Sequence, residues 1–174
     1  MKNLFFALFA ITAFTVFSGC EKDEPAEPAF VSEFTYDGTD YELTNGYYNN
    51  LGTVGGGNYD WDIILSSKEV TINASNQLVG TGEYIYLDLN ANSAENLVAG
   101  TYNWATQRDA FTLVAGSEIT VDYNIATFQG IRDRLTGGTV TVAVDGAETT
   151  ITFTLNTQSG KTVSGQWKGE LVDY

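Results

Sequence analysis

The stretch TVTVAVDGAETTITFTLNTQSGKTVSGQWKG, Thr139 to Gly169, decides the fold class. Val140, Val142 and Val144 alternate with Thr139 and Thr141, a period of two that puts the valines on one face of a strand and the threonines on the other. Asp145-Gly146 signals a tight turn, after which Ile151, Phe153 and Leu155 resume the alternation. A two-residue Asp145-Gly146 loop sets Val144 opposite Ala147, Val142 opposite Thr149 and Val140 opposite Ile151. A loop of four would shift this register by two and keep the same faces together. The following turn is fixed by parity. Ile151, Phe153 and Leu155 on one side and Val163 and Trp167 on the other are all odd-numbered, so apolar side chains meet only where paired numbers sum to an even value. A three-residue loop, Gln158-Ser159-Gly160, satisfies this and sets Leu155 against Val163, Phe153 against Gly165 and Ile151 against Trp167. Gly160 then takes the positive-φ position of a type I turn plus bulge.

Working outward, the same test pairs Tyr36 with Thr39 and Phe34 with Tyr41 around Asp37-Gly38. Further strands are expected near Tyr59–Ser66, Tyr84–Asn90, Thr101–Trp104, Phe111–Ala115 and Glu118–Ile125. Ser93 to Leu97 has the serine cap for one helical turn. The sum is an all-β domain, a single antiparallel sandwich or barrel of about nine or ten strands joined by Gly- and Asn-rich turns. Gly52 to Gly57 reads as a mobile turn, since no Lys-Ser/Thr ending or helix follows it. Arg132-Asp133-Arg134 reads as local charge pairing on a surface loop.

The composition closes several chemistries. The chain of 174 residues has no His, one Cys, and 8 Lys+Arg against 22 Asp+Glu, a formal net charge of −14. Without His there is no Ser-His-Asp triad, no Cys-His pair and no imidazole zinc site. Without a basic stripe, nucleic acid is not an expected partner. No cofactor or resident metal is expected.

At the amino end, Lys2 precedes the uncharged run Leu4 to Phe17. At about 20 residues for a membrane-spanning helix, this run is too short to span and reads as the apolar region of a signal peptide. Val16-Phe17-Ser18-Gly19-Cys20 resembles the lipobox of bacterial lipoproteins, with Phe17 where a leucine is usual. The resemblance implies acylation of Cys20, the sole cysteine, and removal of residues 1–19. Each buried methylene contributes about 0.8 kcal/mol, so two or three acyl chains anchor a protein durably. Glu21-Lys22-Asp23-Glu24 resembles the acidic export tag of Bacteroidota lipoproteins, and Pro25 to Ala29 continues an extended spacer. The expected division is therefore a signal peptide over 1–19, an acylated linker over 20–29 and a β domain over 30–174. Phe34-Thr35-Tyr36-Asp37-Gly38, Ala99-Gly100-Thr101-Tyr102 and Ser159 to Gly169 are similar to small β-rich surface lipoproteins of Bacteroidota, a group without assigned function. This resemblance implies an outer-membrane, lipid-anchored location facing the cell exterior.

Candidate site residues come from two strands. In Tyr59 to Leu65 the odd positions are apolar, which turns Asp60 and Asp62 to the other face; in Glu83 to Leu89 the same parity leaves Tyr84, Tyr86 and Asp88 there. If the strands are neighbours, three carboxylates and two phenols share a patch. Tyr rings beside acidic acceptors suit a sugar, and clustered carboxylates have the chemistry for Ca²⁺. On an exposed face the same residues would merely keep the sheet soluble. As a hydrolytic pair, Asp60 and Asp62 stand about 6.5–7 Å apart along one strand, side by side instead of across a cleft. The leading expectation is a non-enzymatic binder of a glycan or of an envelope or host component. An accessory subunit of an outer-membrane complex is the alternative, and a carboxylate-based hydrolase stands third.

Overall fold

The computed structural model describes residues 29–174, so the signal peptide, Cys20 and the acidic tag lie outside the described residues. The described chain is all-β, with strands β1 (Glu33–Tyr36), β2 (Thr39–Glu42), β3 (Asn45–Gly55), β4 (Asn58–Ser66), β5 (Thr71–Ile72), β6 (Leu78–Val79), β7 (Thr81–Ala91), β8 (Gly100–Trp104), β9 (Thr112–Leu113), β10 (Glu118–Asn124), β11 (Gln129–Asp145), β12 (Glu148–Thr157), β13 (Thr162–Glu170) and β14 (Val172–Asp173). Twelve of them form one sheet in the order β14-β3-β4-β7-β9-β8-β11-β12-β13-β1-β2, and β10 bridges β7 and β11. The strands β7, β9, β8, β11 and β10 thus close a five-membered ring. The pairing is antiparallel as expected, except that β14 runs parallel to β3 and β8 parallel to β9.

The pairings that parity requires are present. Leu155 faces Val163, Phe153 faces Gly165 and Ile151 faces Trp167, and Gly160 has φ 83°. Phe34 faces Tyr41 around Asp37 and Gly38, both at positive φ, as a type I′ turn requires. The β11–β12 register differs from the two-residue reading by two. Asp145 pairs with Glu148, Val142 with Ile151 and Val140 with Phe153. The turn is Gly146-Ala147, with the glycine at φ 63° in the first central position, as a type II′ turn requires; Asp145, unlike Asp37, does not take the positive φ that a type I′ Asp145-Gly146 turn would demand. The apolar faces meet as expected.

Four other expectations are corrected. Ser93 to Leu97 forms no helical turn; the Ser93 hydroxyl instead accepts the amides of Glu95 and Asn96. The glycine-rich run is largely strand, since β3 extends to Gly55 and pairs with β4. Asn- and Gly-rich β3 carries little strand propensity of its own; pairing and packing impose it. Phe111 to Ala115 shrinks to the two residues of β9. Arg132-Asp133-Arg134 is not a loop but part of β11, paired with β10. Asp133 is buried and accepts hydrogen bonds from Tyr36 and from the Ser159 amide and hydroxyl.

The main core lies inside the curled sheet, with Trp61, Ile63, Leu65, Leu87, Ile151 and Trp167 at its centre. The Trp167 ring lies so close to Gly46 of β3 that a Cβ there would collide with it, which draws the two wings of the sheet together across the core. A second, smaller cluster covers the opposite face of β4, β7 and β10. It is built from Ile64, Val70, Tyr84 and Tyr123, with Tyr47, Ile72, Leu78 and Tyr174 against it. That face is therefore not the solvent-exposed one its tyrosines and aspartates suggest.

Candidate functional site

Strands β4 and β7 do lie side by side, with Asp62 opposite Asp88, Asp60 opposite Asn90 and Ile64 opposite Tyr86. One oxygen from each of Asp60, Asp62 and Asp88 lies within 4.8 Å of the others. The three are buried, at 9%, 8% and 4% exposure.

What covers them comes from the segment between β8 and β9. Arg108 forks over Asp88, with Nη1 3.0 Å from Oδ1 and Nη2 2.7 Å from Oδ2. Its Nη1 also lies 2.8 Å from Asp60 Oδ2 and 3.4 Å from Asn90 Oδ1. Tyr86, half-buried, donates its hydroxyl to Asp62 Oδ1 at 2.5 Å. Tyr84 belongs to a different group: its hydroxyl donates to Glu118 at 3.0 Å, and Arg132 holds the other oxygen of Glu118 at 2.7 Å. Of the five candidate residues, four thus share one cluster and Tyr84 anchors the neighbouring one.

Burial dominates the electrostatics. It pushes the Asp88 carboxyl up to about 7, against the pull of Arg108 and with the help of nearby Asp60. It also raises Asp62, which the Tyr86 hydrogen bond partly offsets and Asp60 reinforces. For Arg108 burial acts downward, but its bonds to Asp88 and Asp60 prevail and hold it more firmly protonated than usual. Tyr86 is raised by burial and by its bond to Asp62. Burial and the charge of Asp62 push Tyr174 up to about 12. Three carboxylates against one guanidinium leave an excess of buried negative charge, which is costly without further partners.

A second feature has no counterpart in the strand pattern. Between the Ser93–Leu97 segment and the β11–β12 turn lies a cleft of ≈260 Å³, with Tyr48 and Trp61 on its floor and Glu95, Asn96 and Glu170 among its lining. The two rings are 5.8 Å apart and tilted by 33°, and the Trp61 indole donates to the Ser93 carbonyl at 3.0 Å. Elsewhere a shallow depression of ≈500 Å³ is lined by Thr139, Thr141, Thr152, Thr154, Ser164 and Gln166, the hydroxyl face opposite the valines. Arg108 and Asn90 escape sequence reasoning because nothing in their local sequence marks them. The one hint is scarcity, since any cation in so acidic a chain has many carboxylates to choose from.

No family model matches the chain, and no curated protein or solved structure matches it.

Proposed function

We propose that this chain is an outer-membrane lipoprotein, displayed on the cell exterior through acylated Cys20, whose β domain binds a glycan without transforming it. The ligand class rests on the cleft at Tyr48. A sugar presents C–H faces that pack on aromatic rings and hydroxyls that need acceptors. Tyr48, backed by the buried Trp61 ring, offers the first, and Glu95, Asn96 and Glu170 offer the second. The location rests on the lipobox-like Val16 to Cys20 and the acidic residues after it. An accessory-subunit role has one specific observation in its favour: Phe128, at the β10–β11 turn, is 73% exposed.

Two measurements test the reading. A glycan array followed by calorimetry should find a ligand whose binding Tyr48→Ala weakens by about 1–3 kcal/mol, the scale of a single aromatic stacking interaction. Binding that Tyr48→Ala leaves intact, or none on the array, counts against the cleft. Protease treatment of intact cells should strip the wild-type domain, and Cys20→Ala should lose the acyl mass. Protection until lysis would overturn surface display.

A further inference from the structure

The β4–β7 cluster carries an inference that is independent of the glycan reading. Among the described residues, three buried side-chain polar atoms have no hydrogen-bond partner: Asp60 Oδ1, Asn90 Nδ2 and Trp167 Nε1. The first, Asp60 Oδ1, is an acceptor in this cluster that no group donates to. Asn90 is wholly buried, lies opposite Asp60, and is held through Oδ1 only by the 3.4 Å contact to Arg108. A buried carboxylate oxygen with nothing donating to it is expensive, and its usual remedy is a cation or a water.

We propose that Asp60, Asp62 and Asp88 form a binding site for a divalent cation of the calcium class, with Arg108 standing in the cation's place when it is absent. The donor set is all oxygen, which selects hard cations over zinc or copper. Ca²⁺ takes oxygen ligands at about 2.3–2.6 Å, so ligands on opposite sides of the ion lie up to about 5 Å apart. The three carboxylate oxygens, all within 4.8 Å of one another, fit around one such ion. The Asn90 amide oxygen is a ligand type that Ca²⁺ accepts, and water completes the shell. Arg108 is within reach of solvent. It projects from an irregular connection, its side chain is 39% exposed, and its departure uncovers both oxygens of Asp88. Because the ion must displace a resident guanidinium, the apparent affinity is lowered by the fraction of time the site is open.

The test titrates Ca²⁺ into the full chain, freed of metal by chelator, and follows heat and thermal midpoint. In parallel, Tb³⁺ is added and its emission excited through Tyr86, whose hydroxyl touches Asp62. Wild type should bind one ion and melt at a higher temperature with Ca²⁺ than with chelator. Arg108→Gln should bind about tenfold more tightly, since the competitor is gone. Asp62→Asn and Asp88→Asn should lose the site. Tyr86→Phe should keep Ca²⁺ binding, and circular dichroism checks that each variant is folded. The proposal fails if neither wild type nor Arg108→Gln takes up an ion at about 10 mM, beyond the weakest extracellular sites. It fails equally if folded Asp62→Asn and Asp88→Asn bind as wild type does, which would mean scattered surface carboxylates hold the ion. Loss of binding in Arg108→Gln would overturn the displacement.

Discussion

Arg108 is the residue on which the β4–β7 cluster turns. Among the described residues it is the only cation bonded to Asp60 and Asp88, so Arg108→Ala leaves buried carboxylates with no guanidinium. A missing charged hydrogen-bond partner costs about 1.5–3 kcal/mol, a deficit that urea denaturation at neutral pH in chelator should show. The groups facing Asp88 are Asp60, Asp62, Tyr86 and Arg108, and the balance of burial and repulsion raises its folded-state pKa above the ordinary 3.8, to about 7. A raised folded-state pKa means the native state holds the proton more tightly than the unfolded chain does. The stability this contributes is full below about 3.8 and is lost as pH climbs through about 7. Thermal midpoints in chelator should therefore fall as pH rises across that window, and Asp88→Asn should flatten the fall. Asp133 runs the other way. Burial acts to raise it, but hydrogen bonds from Ser159, Thr157 and Tyr36 outweigh that and hold it below 3.8, so its contribution vanishes in acid. An unchanged slope in Asp88→Asn would show that another carboxyl carries the effect.

At the scale of elements, the β12–β13 turn gives the cleanest prediction. Gly160 has φ 83° with nothing within 4 Å of where a Cβ would stand, so Gly160→Val is penalised by backbone conformation alone. A left-handed conformation costs an L-residue about 1–2 kcal/mol, more for a β-branched one, and denaturant midpoints should report a loss of that size. This turn was legible because three odd-numbered apolar residues faced two others across it, leaving one loop length that satisfied both strands. The β11–β12 turn was half legible: its faces were fixed, while the register stayed open to a shift of two, and the structure takes the shifted one. Strand β3 was not legible at all, because Asn49, Asn50 and Gly52 read as turn formers and their pairing with β4 is a tertiary effect. The aspartate cluster was legible as a shared face, since parity places it on β4 and β7. Its burial was not, because the groups that close over it, Arg108 and Tyr174, lie outside the two strands and nothing in their local sequence ties them to it.

For the whole molecule, the main core spans the curled sheet and ties both wings together. Trp167 packs from β13 against Gly46 on β3 and is 2% exposed. Trp167→Ala should cost about 3–5 kcal/mol, lowering the single unfolding transition as a unit instead of splitting it. A split into two transitions in that variant would mean the wings unfold independently. Gly46→Leu should be harmful through the same contact approached from the other side.

The pairing of β1 with β13, in which Glu33 meets Gln166, fixes when the sheet can be finished. Any machine that delivers the chain amino end first releases the β1–β2 hairpin long before its partner edge exists. At synthesis rates of about 5–20 residues per second, the wait is on the order of ten seconds. During that interval the early strands have no completed core to bury Phe34, Tyr36 and Leu43. The last third of the chain therefore decides when the first strands gain their second neighbour, and a chain cut short before β13 leaves the β1–β2 hairpin without it.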